Sequence, residues 1–180
     1  MKKLVVFLIF ILSANLIIGQ TKAADSSLSK REKRKAKIEE QYNNVKDMLE
    51  NKSFVLEANM LQDKYGNRAI VSSGINFVSV DSTEAIIQVG SNYRLGPNGV
   101  GGVTAKGQIS NWQIKENKKN KTFYVRMNVM SPIGIYDVHF SVSSSGKATA
   151  QLTGLSAGQL TFDGDIVPWD HSTVYVGNSL

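Results

Sequence analysis

Phe123-Tyr124-Val125-Arg126-Met127-Asn128-Val129, followed by a Ser131-Pro132-Ile133-Gly134 turn and then Tyr136-Asp137-Val138-His139-Phe140-Ser141-Val142, is the stretch on which the fold turns. Phe123, Val125, Met127 and Val129 alternate with Tyr124, Arg126 and Asn128, and Tyr136, Val138, Phe140 and Val142 alternate with Asp137, His139 and Ser141. A strand sends successive side chains to opposite faces, so a period of two marks two half-buried strands joined by a tight turn.

The same pattern extends in both directions. Toward the C-terminus a small, polar turn at 143–146 leads to Ala148, Ala150 and Leu152, then to Leu160, Phe162 and Ile166, with a short further piece at 174–176. Toward the N-terminus come a polar turn at 117–120, a strand at 109–114 and a glycine-rich loop at 96–102. Before these lie a strand centred on 86–89, one over 69–80 bent at Gly74, and a Tyr65-Gly66-Asn67 turn. The first strand sets Phe54, Leu56, Ala58 and Met60 against Val55, Glu57, Asn59 and Leu61. About eight short strands at this spacing predict a mainly β fold, an antiparallel meander closed into a barrel or split into a sandwich. No helical pattern separates the strands, which argues against parallel βαβ units.

One α-helix is expected at the front. Ser29 with Glu32 forms a capping box, and Ile38, Tyr42, Val45 and Leu49 fall on one stripe, with Lys37, Glu40, Asp47 and Glu50 away from it. The first two turns have nothing apolar to bury, and Asn51 is a stop signal. The stripe is expected across an open end or an uncovered sheet face.

The first residues read as an export signal: basic Lys2 and Lys3, an apolar run over 4–12 and 16–18, then small residues up to Ala23. Cleavage is expected after Ala23, with Gly19 the second choice. A retained anchor is the competing reading, but a span needs roughly 20 apolar residues, and Ser13, Ala14 and Asn15 interrupt this run. The expected organisation is therefore a signal over 1–23, a polar segment and basic helix over 24–50, and one β domain over 51–180. The expected place of work is periplasmic or secreted. With no cysteine in 180 residues, a lipoprotein anchor, disulfides, thiolate zinc sites and cysteine nucleophiles are closed.

The formal charge of +6 is unevenly placed. The run Lys30, Arg31, Lys33, Arg34, Lys35 and Lys37 faces one Glu32, while from Ile38 onward 12 basic residues meet 13 acidic ones. A nearly neutral body argues against a broad nucleic-acid face. Positive charge at a helix start opposes the dipole. The run is either a solvated tether or a contact for an anionic surface, including peripheral contact with membrane headgroups.

From Gly99 onward the segments Gly99-Val100-Gly101-Gly102, Gly107-Gln108-Ile109, Tyr136-Asp137-Val138-His139-Phe140-Ser141-Val142, Ser145-Gly146-Lys147-Ala148 and Phe162-Asp163-Gly164-Asp165-Ile166 follow in order. In these the chain resembles a family of secreted bacterial proteins, domain of unknown function 4251, found mainly in the Bacteroidota. The strand over 54–60, entered from a charged helix, fits as well. The resemblance implies an extracytoplasmic place and an N-terminal signal, and it implies no activity. Many members carry a lipoprotein cysteine; this chain departs from them.

Candidate sites are sparse. Gly99, Gly101 and Gly102 sit in a loop that can supply backbone N–H groups to a ligand, yet the Lys-Ser/Thr and helix of a phosphate loop do not follow. The bland reading is a loop in which glycine allows positive φ or close backbone approach. Trp112, Tyr136, Tyr93 and Trp169 are aromatics that line a pocket or belong to the core, and Trp112 and Tyr136 join the glycines as candidate ligand contacts. His139 is expected on the polar face of its strand; His171 lies beside Asp170 with no nucleophile motif. Asp163-Gly164-Asp165 lacks the spacing of a calcium loop and reads as a turn or bulge. No catalytic residue, metal or cofactor is assigned.

Several strands are apolar on both faces, such as Val55 and Leu61 opposite Phe54 and Met60. The second face needs cover from the helix, a ligand or a partner. The leading expectation is a non-enzymatic binding or accessory module for a small apolar ligand or an envelope protein. The alternatives are an envelope-associated structural protein using its basic helix, and a hydrolase working through carboxylates such as Asp163 and Asp165.

Overall fold

A computed structural model describes residues 29–91, 96–154 and 158–179. The expected export signal and Tyr93 lie outside the described residues. The chain divides into two units, Met1–Ala36 and Lys37–Leu180. In the first, the Ser29 amide donates to the Glu32 carboxylate at 2.8 Å and the Glu32 amide donates to Ser29 Oγ at 3.3 Å. That reciprocal pair satisfies two free N–H groups and starts helix α1, Lys30–Glu50. The Ser29 hydrogen bonds favour the charged form of Glu32 and lower its pKa.

The second unit is an antiparallel barrel. Its strands are β1 (Ser53–Asp63), β2 (Arg68–Ile70), β3 (Phe77–Asp81), β4 (Glu84–Val89), β5 (Val103–Asn117), β6 (Thr122–Ser131), β7 (Gly134–Ser143), β8 (Lys147–Gly154) and β9 (Gln159–Pro168). Each strand from β3 to β8 pairs with the next in sequence. β1 is held on one side by β3 and then β2, and on the other by β9, from Phe54↔Pro168 to Asp63↔Leu160. That last pairing decides between the two expected architectures: the meander closes as an eight-stranded barrel, with short β2 extending the β3 side.

The interior is filled by side chains, as a barrel of eight strands allows. Phe54, Leu56, Val80, Phe123, Met127, Val138, Phe140 and Phe162 belong to one buried cluster. Phe54 meets Phe140 edge-on at 5.5 Å between ring centres. The later half of α1 closes one end: Val45 and Leu49 are buried in the same cluster, and Tyr42 stacks on Phe123 at 5.2 Å. Ile38, expected on the buried stripe, is 41% exposed. The buried part of the stripe therefore starts one turn later, at Tyr42. After α1 the chain turns at Lys52, whose φ of 50° is the left-handed cap conformation that ends many helices.

Two bulges reset the alternation. In β1 the pairing with β9 slips between Ala58 and Met60. One extra residue there flips the phase, so Leu61 rather than Met60 joins the core. In β5 the slip lies between Ser110 and Gln113, where Asn111 takes a φ of 53°. That strand begins at Val103, six residues before the expected start, and the expected strand over 69–80 is split, with 71–76 irregular.

The second apolar face of β1 and β3 is covered by the chain itself. Val55 and Phe77 are fully buried yet lie outside the interior cluster. The 3-10 turn Trp169–His171 rests against β1 and β3, and Ser172 Oγ donates to Glu57 at 2.7 Å. The following residues cross the outside of β3, β4 and β5. The Tyr175 amide donates to the Gly74 carbonyl at 2.8 Å, and the Asn178 amide to the Asn98 carbonyl at 2.9 Å. Beneath them Gln88 is fully buried. Its Nε2 donates to the carbonyls of Ile75 and Tyr175, and its Oε1 accepts from Thr104 Oγ1 at 2.9 Å and the Gly177 amide at 2.8 Å. Residues 174–176, expected as a strand piece, thus form part of an irregular strap. No ligand is needed to cover this face.

Candidate functional site

The outer wall opposite the strap, built from β5 to β9, is open. Its surface follows from register. Side chains that alternate out of the core form two rows across neighbouring strands. One row runs Gln113–Arg126–His139–Gln151–Thr161, and the other Lys115–Tyr124–Ser141–Thr149–Asp163. Strand spacing puts neighbours in a row about 4.8 Å apart. Ser131 Oγ donates to the Gly134 carbonyl at 2.9 Å and tightens the turn that sets the register of β6 on β7.

The rows enclose a groove of about 570 Å³. Gln113, Lys115, Tyr124 and Arg126 form one side, and the shorter Ser141, Thr149 and Thr161 lie toward the other, with His139 and Gln151 between. A second depression of about 500 Å³ continues past Tyr124, Ser141 and Thr149 toward Lys147 and Asp163. Tyr124 is 48% exposed.

The electrostatics of the groove are one-sided. Its charged lining residues are Lys115 and Arg126, diagonal neighbours across β5 and β6, and neither has an ion-pair partner among the described residues. Nearby carboxylates have hydrogen-bond or ion-pair partners of their own. Asp163 accepts from Thr149 Oγ1 at 2.7 Å, Asp165 pairs with Lys147 at 2.8 Å, and Asp137 accepts from the Asn128 side-chain Nδ2.

The residues singled out from the sequence do not converge here. Gly99 and Gly101 have φ of 75° and 80°, and a Cβ on Gly102 would meet the Val89 carbonyl at 2.1 Å. Asn98 Oδ1 accepts from the Val100 and Gly102 amides, so the loop is tied to itself beside the strap. Trp112 and Tyr136 point inward and pack on the core cluster; Trp112 lies 6.3 Å from Phe54 with Lys52 over its ring at 5.4 Å. Trp169 is half-buried in the 3-10 turn. Lys30, Arg31, Lys33, Arg34, Lys35 and Lys37 are all exposed on α1. Asp163-Gly164-Asp165 lies within β9, opposite the β1 bulge, where a Cβ on Gly164 would meet the Glu57 carbonyl at 2.0 Å. The glycine belongs to that close approach.

Tyr124, Arg126 and Ser141 were visible in the sequence as the polar half of an alternation. What marks them as a site is their row-by-row apposition with β5, β8 and β9, which no single strand contains.

Fold and surface together define a class: a closed, eight-stranded, up-and-down antiparallel barrel with a filled interior and a polar outer groove. The family model "Domain of unknown function (DUF4251)" matches residues 36–166, and the chain belongs to that family. Among solved structures it is similar to a DUF4251 family protein from Bacteroides eggerthii DSM 20697. The match has 27% identity and a TM-score of 0.62, and covers 73% of this chain and 90% of that one. No curated protein matches.

Proposed function

We propose that this chain is a non-enzymatic extracytoplasmic binding module that takes its ligand or envelope partner on the open outer wall of β5 to β9. The observation that carries the reading is the contrast between the two halves of the wall. One half is sealed by the chain's own strap over Gln88 and Thr104. The other keeps a groove of about 570 Å³ with an exposed tyrosine and two cations without ion-pair partners among the described residues. That volume is ordinary for a small-molecule site. The interior, by contrast, is occupied by Phe54, Phe123, Phe140 and Phe162. The ligand this reading favours is therefore polar and external rather than apolar and enclosed. The extracytoplasmic place rests on the basic, apolar and small-residue order of residues 1–23.

The test is native mass spectrometry of the chain purified from its own envelope, beside the variant Ser141→Arg, which fills the groove from an exposed position. An adduct present on the parent and lost from Ser141→Arg is expected. An adduct retained equally by both overturns the reading.

The exposure of all six basic residues over 30–37 favours a second role, contact with an anionic surface. Co-sedimentation with vesicles containing phosphatidylserine checks it. Binding that weakens in salt and disappears when Lys30, Arg31, Lys33 and Arg34 become Gln is the expected result.

A further inference from the structure

The chemistry of the groove narrows the ligand. We propose that it takes an acidic oligosaccharide, with a sugar carboxylate held between Lys115 and Arg126 and sugar hydroxyls held by Ser141, Gln151 and Thr161. This rests on the reading of the outer wall as the binding surface.

Charge is the first argument. Lys115 and Arg126 stand diagonally across adjacent strands, a separation of about 7–8 Å between backbones. Both are exposed, and neither has an ion partner among the described residues. The remainder of the chain from Ile38 carries no positive excess, so this pair is a local concentration. Two like charges at that separation repel, and one carboxylate between them relieves the repulsion. Arg126 presents a planar fork suited to a carboxylate, and Lys115 a compact point charge beside it.

The neutral groups supply the second argument. Gln151 and Thr161 are neighbours in one row, about 4.8 Å apart, and Ser141 stands diagonal to Gln151 in the other, so hydroxyl and amide groups can donate and accept across this part of the groove, which is what a polyol requires. Tyr124 lies in the row next to Lys115 and is an exposed residue of the groove. An amphipathic aromatic of this kind offers an apolar face for the C–H side of a sugar ring and a hydroxyl at its rim.

Topology argues against the other acidic polymer, an extended peptide. Peptides commonly bind sheets by adding a strand to a free edge. From β6 to β9 every strand is paired on both sides, β9 with β1, whereas β5 beyond Gln108 pairs only with β6. An occupant lying over β6 to β9 must be recognised through side chains.

Isothermal titration calorimetry of the full chain decides the matter with three ligands: a galacturonate trisaccharide, a galactose trisaccharide and hexaglutamate. The galacturonate trisaccharide is expected to bind, about tenfold or more tighter than the neutral trisaccharide, with affinity falling as salt rises. Arg126→Gln and Lys115→Gln, at exposed positions, are each expected to weaken it by about tenfold. Equal binding of the neutral trisaccharide overturns the carboxylate assignment. If Ser141→Arg then abolishes both, the outer-wall reading survives its loss. Tighter binding of hexaglutamate overturns the sugar assignment. No heat from any of the three overturns the whole inference, and the native mass spectrum then judges the outer wall independently.

Discussion

Tyr42 and Glu116 tie α1 to β5 through a hydrogen bond from the phenol to the carboxylate, with Lys46 3.4 Å from the same carboxylate. The bond to Glu116 pushes the Tyr42 pKa up to about 12 from 10.0, and the bond from Tyr42 holds Glu116 below 4.5. The signs follow from which state each proton stabilises. Tyr42, with its folded pKa raised, contributes stability that is whole below pH 10.0 and fades as pH rises toward about 12. Glu116, with its folded pKa lowered, contributes stability that is whole above pH 4.5 and fades as pH falls through its folded value. Melting temperatures of the parent and Tyr42→Phe, measured across pH, are expected to differ most between these limits and to converge outside them. A constant gap at every pH would remove the bond from the account. Asp63 works locally: its carboxylate accepts from the Tyr65 amide at 2.8 Å and the Asn67 amide at 2.9 Å, which shapes the turn from β1 to β2. The Asn67 bonds lower its pKa.

Among the elements, the C-terminal strap is the part whose role is least like its sequence. It contains no regular strand, yet it seals the outside of β3, β4 and β5 through Gln88. Removing that side chain leaves buried partners, among them the Gly177 amide, without their bonds. Loss of a partner from a buried polar group costs roughly 1–3 kcal/mol. Gln88→Ala is therefore expected to lower stability in urea by about that amount. It is also expected to speed amide exchange at Tyr175 and Gly177, while Phe140 in β7 stays protected. Unchanged exchange at both strap positions would show that Gln88 does not hold it. Helix α1 behaves more as its pattern promised. The capping box forms, and Tyr42, Val45 and Leu49 lie on the barrel. Ile38 breaks from the pattern because α1 reaches the core only from Tyr42 onward.

In the barrel unit, everything depends on the seam where β9 meets β1. Gly164 faces the Glu57 carbonyl so closely that a Cβ would lie 2.0 Å from it, and the backbone must move to admit one. Gly164→Ala is expected to cost about 1–3 kcal/mol or more and to raise exchange selectively along β1 and β9, read by hydrogen–deuterium exchange. A neutral substitution would mean that the seam tolerates a wider gap than the register indicates.

Much of this was legible in the amino-acid order, because helix starts, turns and strand alternation are local. Ser29 and Glu32, the 131–134 turn, and the two faces of 123–129 and 136–142 were all read within a few residues of themselves. Closure was not, since Leu56 meeting Ile166 is a contact between chain ends. The phase flip after Ala58 escaped for the same reason: a bulge is defined by the partner strand opposite it. Val55 read as part of a face needing cover from the helix, a ligand or a partner, because nothing near it announces that the last residues return over β1 and β3. The groove also belongs to the folded state alone. Lys115, Arg126, Ser141, Gln151 and Thr161 come from five strands, and only pairing across the barrel brings them together.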